Sequence, residues 1–226
     1  MTRKRNPGMR AKYRRQRQKK RASKATTTII RNPSTITDIT RVKLRYSEIV
    51  NLTSTDGTFP NRVYRANSIW QPNLVVSAEQ PYGRDQWANF YGRYLVTGMA
   101  AQVTAVSQPT PTSAGGVCLS LVDATGEPTS YLKAVEMPYS NTMLIAPFET
   151  RAKKLKLYCS TKKRAGYKDI DTQDDLSATI TGNPSELYYW VLGLQATQNP
   201  GTITASFQVE ITYYVKLYDR KELGRS

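Results

Sequence analysis

A stretch of sixteen residues near the C-terminal end constrains the fold more than any other part of the sequence. Residues 203–218 alternate between apolar and polar side chains almost without interruption. The predicted inward face carries Ile203, Ala205, Phe207, Val209, Ile211, Tyr213, Val215 and Leu217. This period of two is typical of a β-strand with one buried face. At about 3.3 Å per residue the strand would be on the order of 50 Å long, so we expect its far end to contact neighbouring molecules.

Other segments of the chain also have strand-like patterns. We predict strands over residues 39–52, 62–70, 93–107, 117–123, 152–160, 176–182 and 186–197, with an irregularity near Gly98. Two short helical turns are predicted, one over 85–93 with Asp85 as its N-cap and one over 130–136. The rest of 129–149 is the least strand-like part of the chain. Eight strands without a long helix favour an all-β fold, a single eight-stranded jelly roll of two packed antiparallel sheets.

The first 24 residues carry most of the net charge. They contain twelve of the 33 Lys and Arg residues and no Asp or Glu, which leaves 21 basic against 17 acidic residues elsewhere. These twelve cations are Arg3, Lys4, Arg5, Arg10, Lys12, Arg14, Arg15, Arg17, Lys19, Lys20, Arg21 and Lys24. Such a run repels itself and has few apolar side chains to bury, so we predict that it stays disordered until a polyanion neutralises it. The chain is therefore divided into a basic arm with its hinge, residues 1–36, and a folded domain, residues 37–226.

Nucleic acid is the partner that this arm favours. Each phosphate that Lys or Arg neutralises releases a condensed counterion, which gives affinity with little sequence selectivity. Three more cations, Arg41, Lys43 and Arg45, alternate with apolar residues in the first predicted strand. They are interpreted either as a second row of phosphate contacts or as a solvated face. A short basic cluster is also typical of a nuclear-localisation signal, a role that is compatible with nucleic-acid binding.

The composition argues against an enzyme. The sequence has no histidine, which removes Ser-His-Asp and Cys-His catalysis as well as histidine metal sites. Cys118 and Cys159 are too few for a Cys-only zinc site, and we predict buried, reduced thiols. The acidic residues of 169–175 are expected to form a solvated loop, with a bound divalent ion as the alternative. No nucleotide-binding motif and no apolar run long enough to span a membrane occur, so no catalytic residue, metal, cofactor or membrane partner is predicted.

Three segments of the predicted folded domain follow the basic arm in a fixed order. They are residues 63–72 (VYRANSIWQP), 85–94 (DQWANFYGRY) and 211–215 (ITYYV). In this order and spacing they resemble the capsid proteins of circovirus-like viruses, which have small circular single-stranded DNA genomes. The resemblance implies a jelly roll with strands B to I that assembles as a T=1 icosahedral shell of sixty subunits, with the arm inside on the genome.

The resemblance also implies partners and a location. The partners would be the single-stranded DNA genome and further copies of the chain, and the host attachment receptor and the nuclear import machinery are additional candidates. The protein would occur in the virion and, during assembly, in the host nucleus. In the implied strand order, 117–123 and 152–160 are antiparallel neighbours, which would bring Cys118 towards Cys159.

Two alternatives to a DNA-virus capsid protein stay open. A small RNA virus coat protein uses the same combination of arm and sandwich, because a basic arm does not distinguish DNA from RNA. A cellular nucleic-acid-binding module with a basic tail would carry a basic or aromatic-lined patch on its folded domain and would remain a monomer.

Overall fold

The computed structural model describes residues 36–75, 79–108, 111–123, 126–148 and 151–222, so the predicted arm and its twelve cations lie outside the described residues. Nine strands occur in these ranges. They are β1 (Thr40–Thr55), β2 (Asn61–Arg65), β3 (Tyr91–Ser107), β4 (Gly115–Asp123), β5 (Ser140–Ile145), β6 (Lys153–Ser160), β7 (Ser177–Thr179), β8 (Tyr188–Ala196) and β9 (Thr202–Arg220). The helices are α1 (Arg84–Ala88), α2 (Tyr131–Glu136), α3 (Thr161–Ala165) and a 3-10 turn (Asp174–Leu176). None of the helices in these ranges has the length and apolarity needed to cross a membrane.

The strands form two antiparallel sheets. Sheet one has the order β1-β9-β3-β6, with β7 paired to β3, and sheet two has the order β2-β8-β4-β5. The chain changes sheets after most strands, and the two apolar faces meet in one core. This is the arrangement of a jelly roll. The predicted all-β jelly roll is therefore confirmed, with nine strands instead of eight.

The last strand is central in sheet one and follows the predicted alternation. It pairs with β1 from Thr40 opposite Leu217 to Thr55 opposite Thr202, and it pairs with β3 on its other side. All eight side chains predicted to face inward are buried. They belong to the same core as Trp190 and Leu192 of sheet two. Burial of large apolar side chains contributes about 1.5–3 kcal/mol each, so this face is a principal source of stability.

Local details are confirmed in part. The register of β3 against β9 shifts between Val96 and Gly98, which is the predicted irregularity. Helix α2 begins after Ser130, whose side chain accepts a hydrogen bond from the backbone N–H of Lys133. The prediction that Asp85 caps α1 is wrong, because Gly83 occupies the N-cap position with φ of 82° and Asp85 lies in the first turn. That backbone conformation favours glycine.

The strand order between residues 129 and 182 differs from the predicted one. Residues 140–145 were not predicted as a strand, yet they form β5, which pairs with β4. Strand β6 pairs with β3 in sheet one and not with β4. The segment predicted over 176–182 is reduced to the three residues of β7. Most of β5 is only half-buried on both faces, so the sequence of this edge strand has no period-two pattern to detect.

This strand order also separates the two cysteines. Cys159 on β6 belongs to the core, whereas Cys118 on β4 lies on the opposite face of sheet two, beside Gly193. The expectation that the two residues approach each other is therefore wrong. Both are free and buried, as predicted. Burial raises the pKa of the Cys118 thiol to about 11, so this thiol stays protonated at neutral pH.

One buried hydrogen bond connects the two sheets directly. The hydroxyl of Tyr213 on β9 donates to the backbone carbonyl of Arg65 on β2 at 2.9 Å. Burial raises the pKa of Tyr213 well above its ordinary value, which keeps the hydroxyl protonated as a donor.

We predict that Tyr213→Phe lowers the free energy of unfolding by about 1–2 kcal/mol, because the carbonyl of Arg65 loses its buried partner. Urea denaturation followed by circular dichroism measures the change. The matched control is Tyr214→Phe, since the adjacent ring faces solvent and the change should stay within about 0.5 kcal/mol of wild type. Equal stability of Tyr213→Phe and wild type would show that the bond contributes nothing.

Candidate nucleic-acid interface

Sheet one buries one face and exposes the other to solvent. Arg41, Lys43 and Arg45 of β1 lie on the exposed face, as their alternation with apolar residues predicts. Lys154 and Lys156 of β6 lie on the same face at the opposite edge of the four main strands. Three inter-strand spacings separate the backbones of β1 and β6, which is about 14 Å. We call this surface, with Tyr158 and Tyr214 between its two rows of cations, the basic face.

The cations of the basic face differ in pairing from those next to it. Within the described part of the chain, none of its five cations forms an ion pair. By contrast, Lys216 lies 2.7 Å from Asp171, and Arg93 lies 3.6 Å from Asp174. The acidic loop thus neutralises cations at one end of sheet one and leaves the two rows available to an anion.

The acidic loop does not form a metal site. Asp169 accepts a hydrogen bond from the backbone N–H of Asp171, while Asp171 and Asp174 pair with different cations. Over the ranges that the structure describes, no three Cys, Asp or Glu side chains converge so that they could hold a metal ion.

Two tyrosines occupy the space between the rows. The rings of Tyr158 on β6 and Tyr214 on β9 are 6.0 Å apart between centroids and nearly perpendicular, at 88°. Tyr158 is 61% exposed and Tyr214 is 36% exposed. Gly98 lies between them on β3, and a Cβ there would be 3.0 Å from the hydroxyl oxygen of Tyr158. The glycine at the β-bulge therefore leaves room for both rings.

The tyrosines border a shallow depression of about 560 Å³ in the basic face. It is lined by Arg45, Ala100, Ala101, Gln102, Lys156, Leu157, Tyr158, Glu210, Thr212 and Tyr214. Glu210 is the one carboxylate among these lining residues, and it accepts a hydrogen bond from the side chain of Gln208 at 3.0 Å. Lys43 extends over the ring of Tyr214, with its Nζ 5.1 Å from the centroid. The depression thus has cations at its edges and aromatic or neutral groups over most of its floor.

The structure brings together some of the predicted nucleic-acid-binding residues and adds others. Arg41, Lys43 and Arg45 form one row, whereas the twelve cations of the arm lie outside the described residues. The sequence pattern placed Lys154, Lys156 and Tyr158 on one face of a strand. It did not show that this strand belongs to the same sheet as β1, so the second row and the tyrosine pair were missed.

Comparison with known proteins gives structural likenesses only. No protein-family model matches the chain, and no curated protein matches it. A chain of tobacco necrosis virus is similar at 13% identity with a TM-score of 0.47, covering 84% of this chain and 86% of that one. The 60-mer BFDV capsid protein is similar at 10% identity with a TM-score of 0.44, covering 83% and 97%. A chain of Desmodium yellow mottle tymovirus is similar at 12% identity with a TM-score of 0.41, covering 89% and 99%.

We predict that replacing Arg41, Lys43 and Arg45 together by alanine weakens binding to a single-stranded oligonucleotide and makes it less dependent on salt. Each lost phosphate contact lowers the slope of log affinity against log salt concentration by about 0.7, so three lower it by about 2. Fluorescence anisotropy titrations at several NaCl concentrations measure the slope. The control, Arg41→Lys with Arg45→Lys, keeps all three charges and should keep the slope. An unchanged slope in the alanine variant would mean that this row is only a solvated face.

Proposed function

We propose that this chain is a viral capsid protein that packages single-stranded DNA, with its basic arm and its basic face both binding the genome. The observation that carries the proposal is the segregation of charge. Twelve cations without a single acidic residue precede a jelly roll by a short hinge. The first strand of that jelly roll then presents three further cations that no described carboxylate neutralises. A structural role of this kind needs no catalytic residue.

Charge neutralisation supplies the mechanism of packaging. If sixty copies form a T=1 shell, their arms contribute about 720 positive charges, enough for on the order of 700 phosphates. Without a polyanion the arms repel one another, and with DNA present they do not. Assembly and packaging are thereby coupled, and the packaged sequence is selected weakly because phosphate contacts carry no base information.

The arm also has the composition of a nuclear-localisation signal. We propose that it directs the free chain to the host nucleus, where single-stranded DNA would be packaged. Within the virion the same residues would be occupied by phosphates. The resemblance of the three sequence segments to circovirus-like capsid proteins supports this assignment over other small viruses.

A specific observation favours a second candidate, a cellular nucleic-acid-binding module with a basic tail. That alternative predicts a basic or aromatic-lined patch on the folded domain, and the basic face is such a patch. The two functions differ in self-association, since the cellular module remains a monomer. A small RNA virus coat protein differs from the main proposal only in the packaged polymer, which sensitivity to DNase or RNase identifies.

We predict that deleting residues 1–24 leaves the jelly roll folded but abolishes packaging, because most of the net charge is lost with them. Circular dichroism reports the fold, and the ratio of absorbance at 260 and 280 nm reports the nucleic acid in purified particles. A variant in which the twelve basic residues are shuffled within the arm is the control, since it keeps the charge. Equal nucleic-acid content in truncated and full-length particles would contradict the proposal.

We predict that the purified full-length chain forms closed particles of uniform size when single-stranded DNA is added at moderate ionic strength. Neutralisation of the arms removes the repulsion between subunits, so particles should be fewer in the absence of DNA. Negative-stain electron microscopy and analytical ultracentrifugation detect them. A chain that stays a monomer at every salt concentration, with and without DNA, would favour the cellular binding module.

A further inference from the structure

We propose that the depression of the basic face binds unpaired bases by stacking them on Tyr158, so that the folded domain itself selects single-stranded over duplex nucleic acid. This inference rests on the proposed binding of nucleic acid. It concerns a different contact from the phosphate contacts of the arm and of β1.

The distribution of charge in the depression identifies which part of a nucleotide it would hold. A pocket for phosphate needs cations at its centre, whereas here Arg45 and Lys156 stand at opposite sides. The floor between them is formed by Ala100 and Thr212, and the carboxylate of Glu210 lies beside it. A phosphate at the centre would meet that carboxylate. A base at the centre would meet neutral groups, with its flanking phosphates directed to the two rows of cations.

The two tyrosines are arranged to support stacking. Their nearly perpendicular rings, 6.0 Å apart, form an edge contact that supports the ring of Tyr158 while most of it stays accessible. Lys43 already lies over the ring of Tyr214, so Tyr158 is the more open platform. Gly98 keeps a side chain from filling the space under the hydroxyl of Tyr158.

Stacking on an exposed ring distinguishes single strands from duplexes. Every base has a π-face, so stacking tolerates any sequence. In a duplex both faces of a base are already covered by its neighbours, and presenting one to a protein requires unpairing and unstacking. Phosphate contacts are available in both forms. The preference for single strands should therefore come from Tyr158 and not from the cations.

The test compares binding of the full-length chain to a fluorescein-labelled dT oligonucleotide and to a duplex of the same length, by anisotropy over a range of NaCl concentrations. Tyr158→Ala should weaken single-strand binding about tenfold and leave duplex binding unchanged. The salt slope should not change, because no charge is removed. Tyr158→Phe keeps the ring and should bind like wild type. Tyr167→Ala is the control for loss of a tyrosine elsewhere, since Tyr167 is 38% exposed and lies outside the depression.

The outcomes separate this inference from the proposed function. If wild type binds both polymers and Tyr158→Ala binds them equally well, the stacking site is refuted while nucleic-acid binding stands. If wild type binds neither polymer, the proposed function fails together with the inference. Photocrosslinking of a bromodeoxyuridine-substituted strand to the wild-type chain gives an independent readout that does not depend on a variant folding. Mass spectrometry should locate a crosslink at Tyr158 or Tyr214, and crosslinks confined to residues 1–35 would overturn the site.

Discussion

The register between β1 and β9 determines both surfaces of sheet one. Successive side chains of a strand point to opposite faces, so the pairing that buries Leu44 against Tyr213 also places Lys43 opposite Tyr214 on the solvent side. A slip of one residue would bury the row of cations and expose the apolar row. Burying several unpaired charges costs far more than a small domain can offset. Formation of the core and display of the cations are therefore one event, and the site cannot be lost without loss of the fold.

The charge of the basic face is a local feature of an almost neutral domain. Outside the first 24 residues, 21 basic residues stand against 17 acidic ones, yet Asp171 and Asp174 pair with Lys216 and Arg93 and leave the rows unneutralised. Cations two residues apart on a strand are about 6.6 Å apart, and their repulsion in water is about 0.6 kcal/mol per pair. Such a row is easily maintained by a folded domain in water. Phosphates remove the repulsion, so the same row gains free energy when a nucleic acid binds.

The sequence predicted features that depend on a single strand and missed those that depend on pairing. Alternation within 203–218 and 39–52 identified the core residues and the cations of β1, because each pattern is complete within one strand. Strand β5 was missed because an edge strand that is half-buried on both faces has no alternation. Tyr158 and Tyr214 are 56 residues apart, and only the pairing of β6 and β9 with β3 brings their rings together. No pattern within either strand reports that contact, and Gly98 appears in the sequence only as an irregularity.

The arm and the basic face would act on a genome in physically different ways. Phosphate contacts depend on counterion release, so they weaken as salt rises and treat single strands, duplexes and RNA alike. Stacking on Tyr158 depends on an accessible base and carries little salt dependence. An arm alone would collect any polyanion, and tyrosines alone would bind too weakly to overcome repulsion between arms. Combined in one chain, the arm provides affinity and the depression provides discrimination by structure, which allows a protein with little sequence selectivity still to favour an unpaired strand.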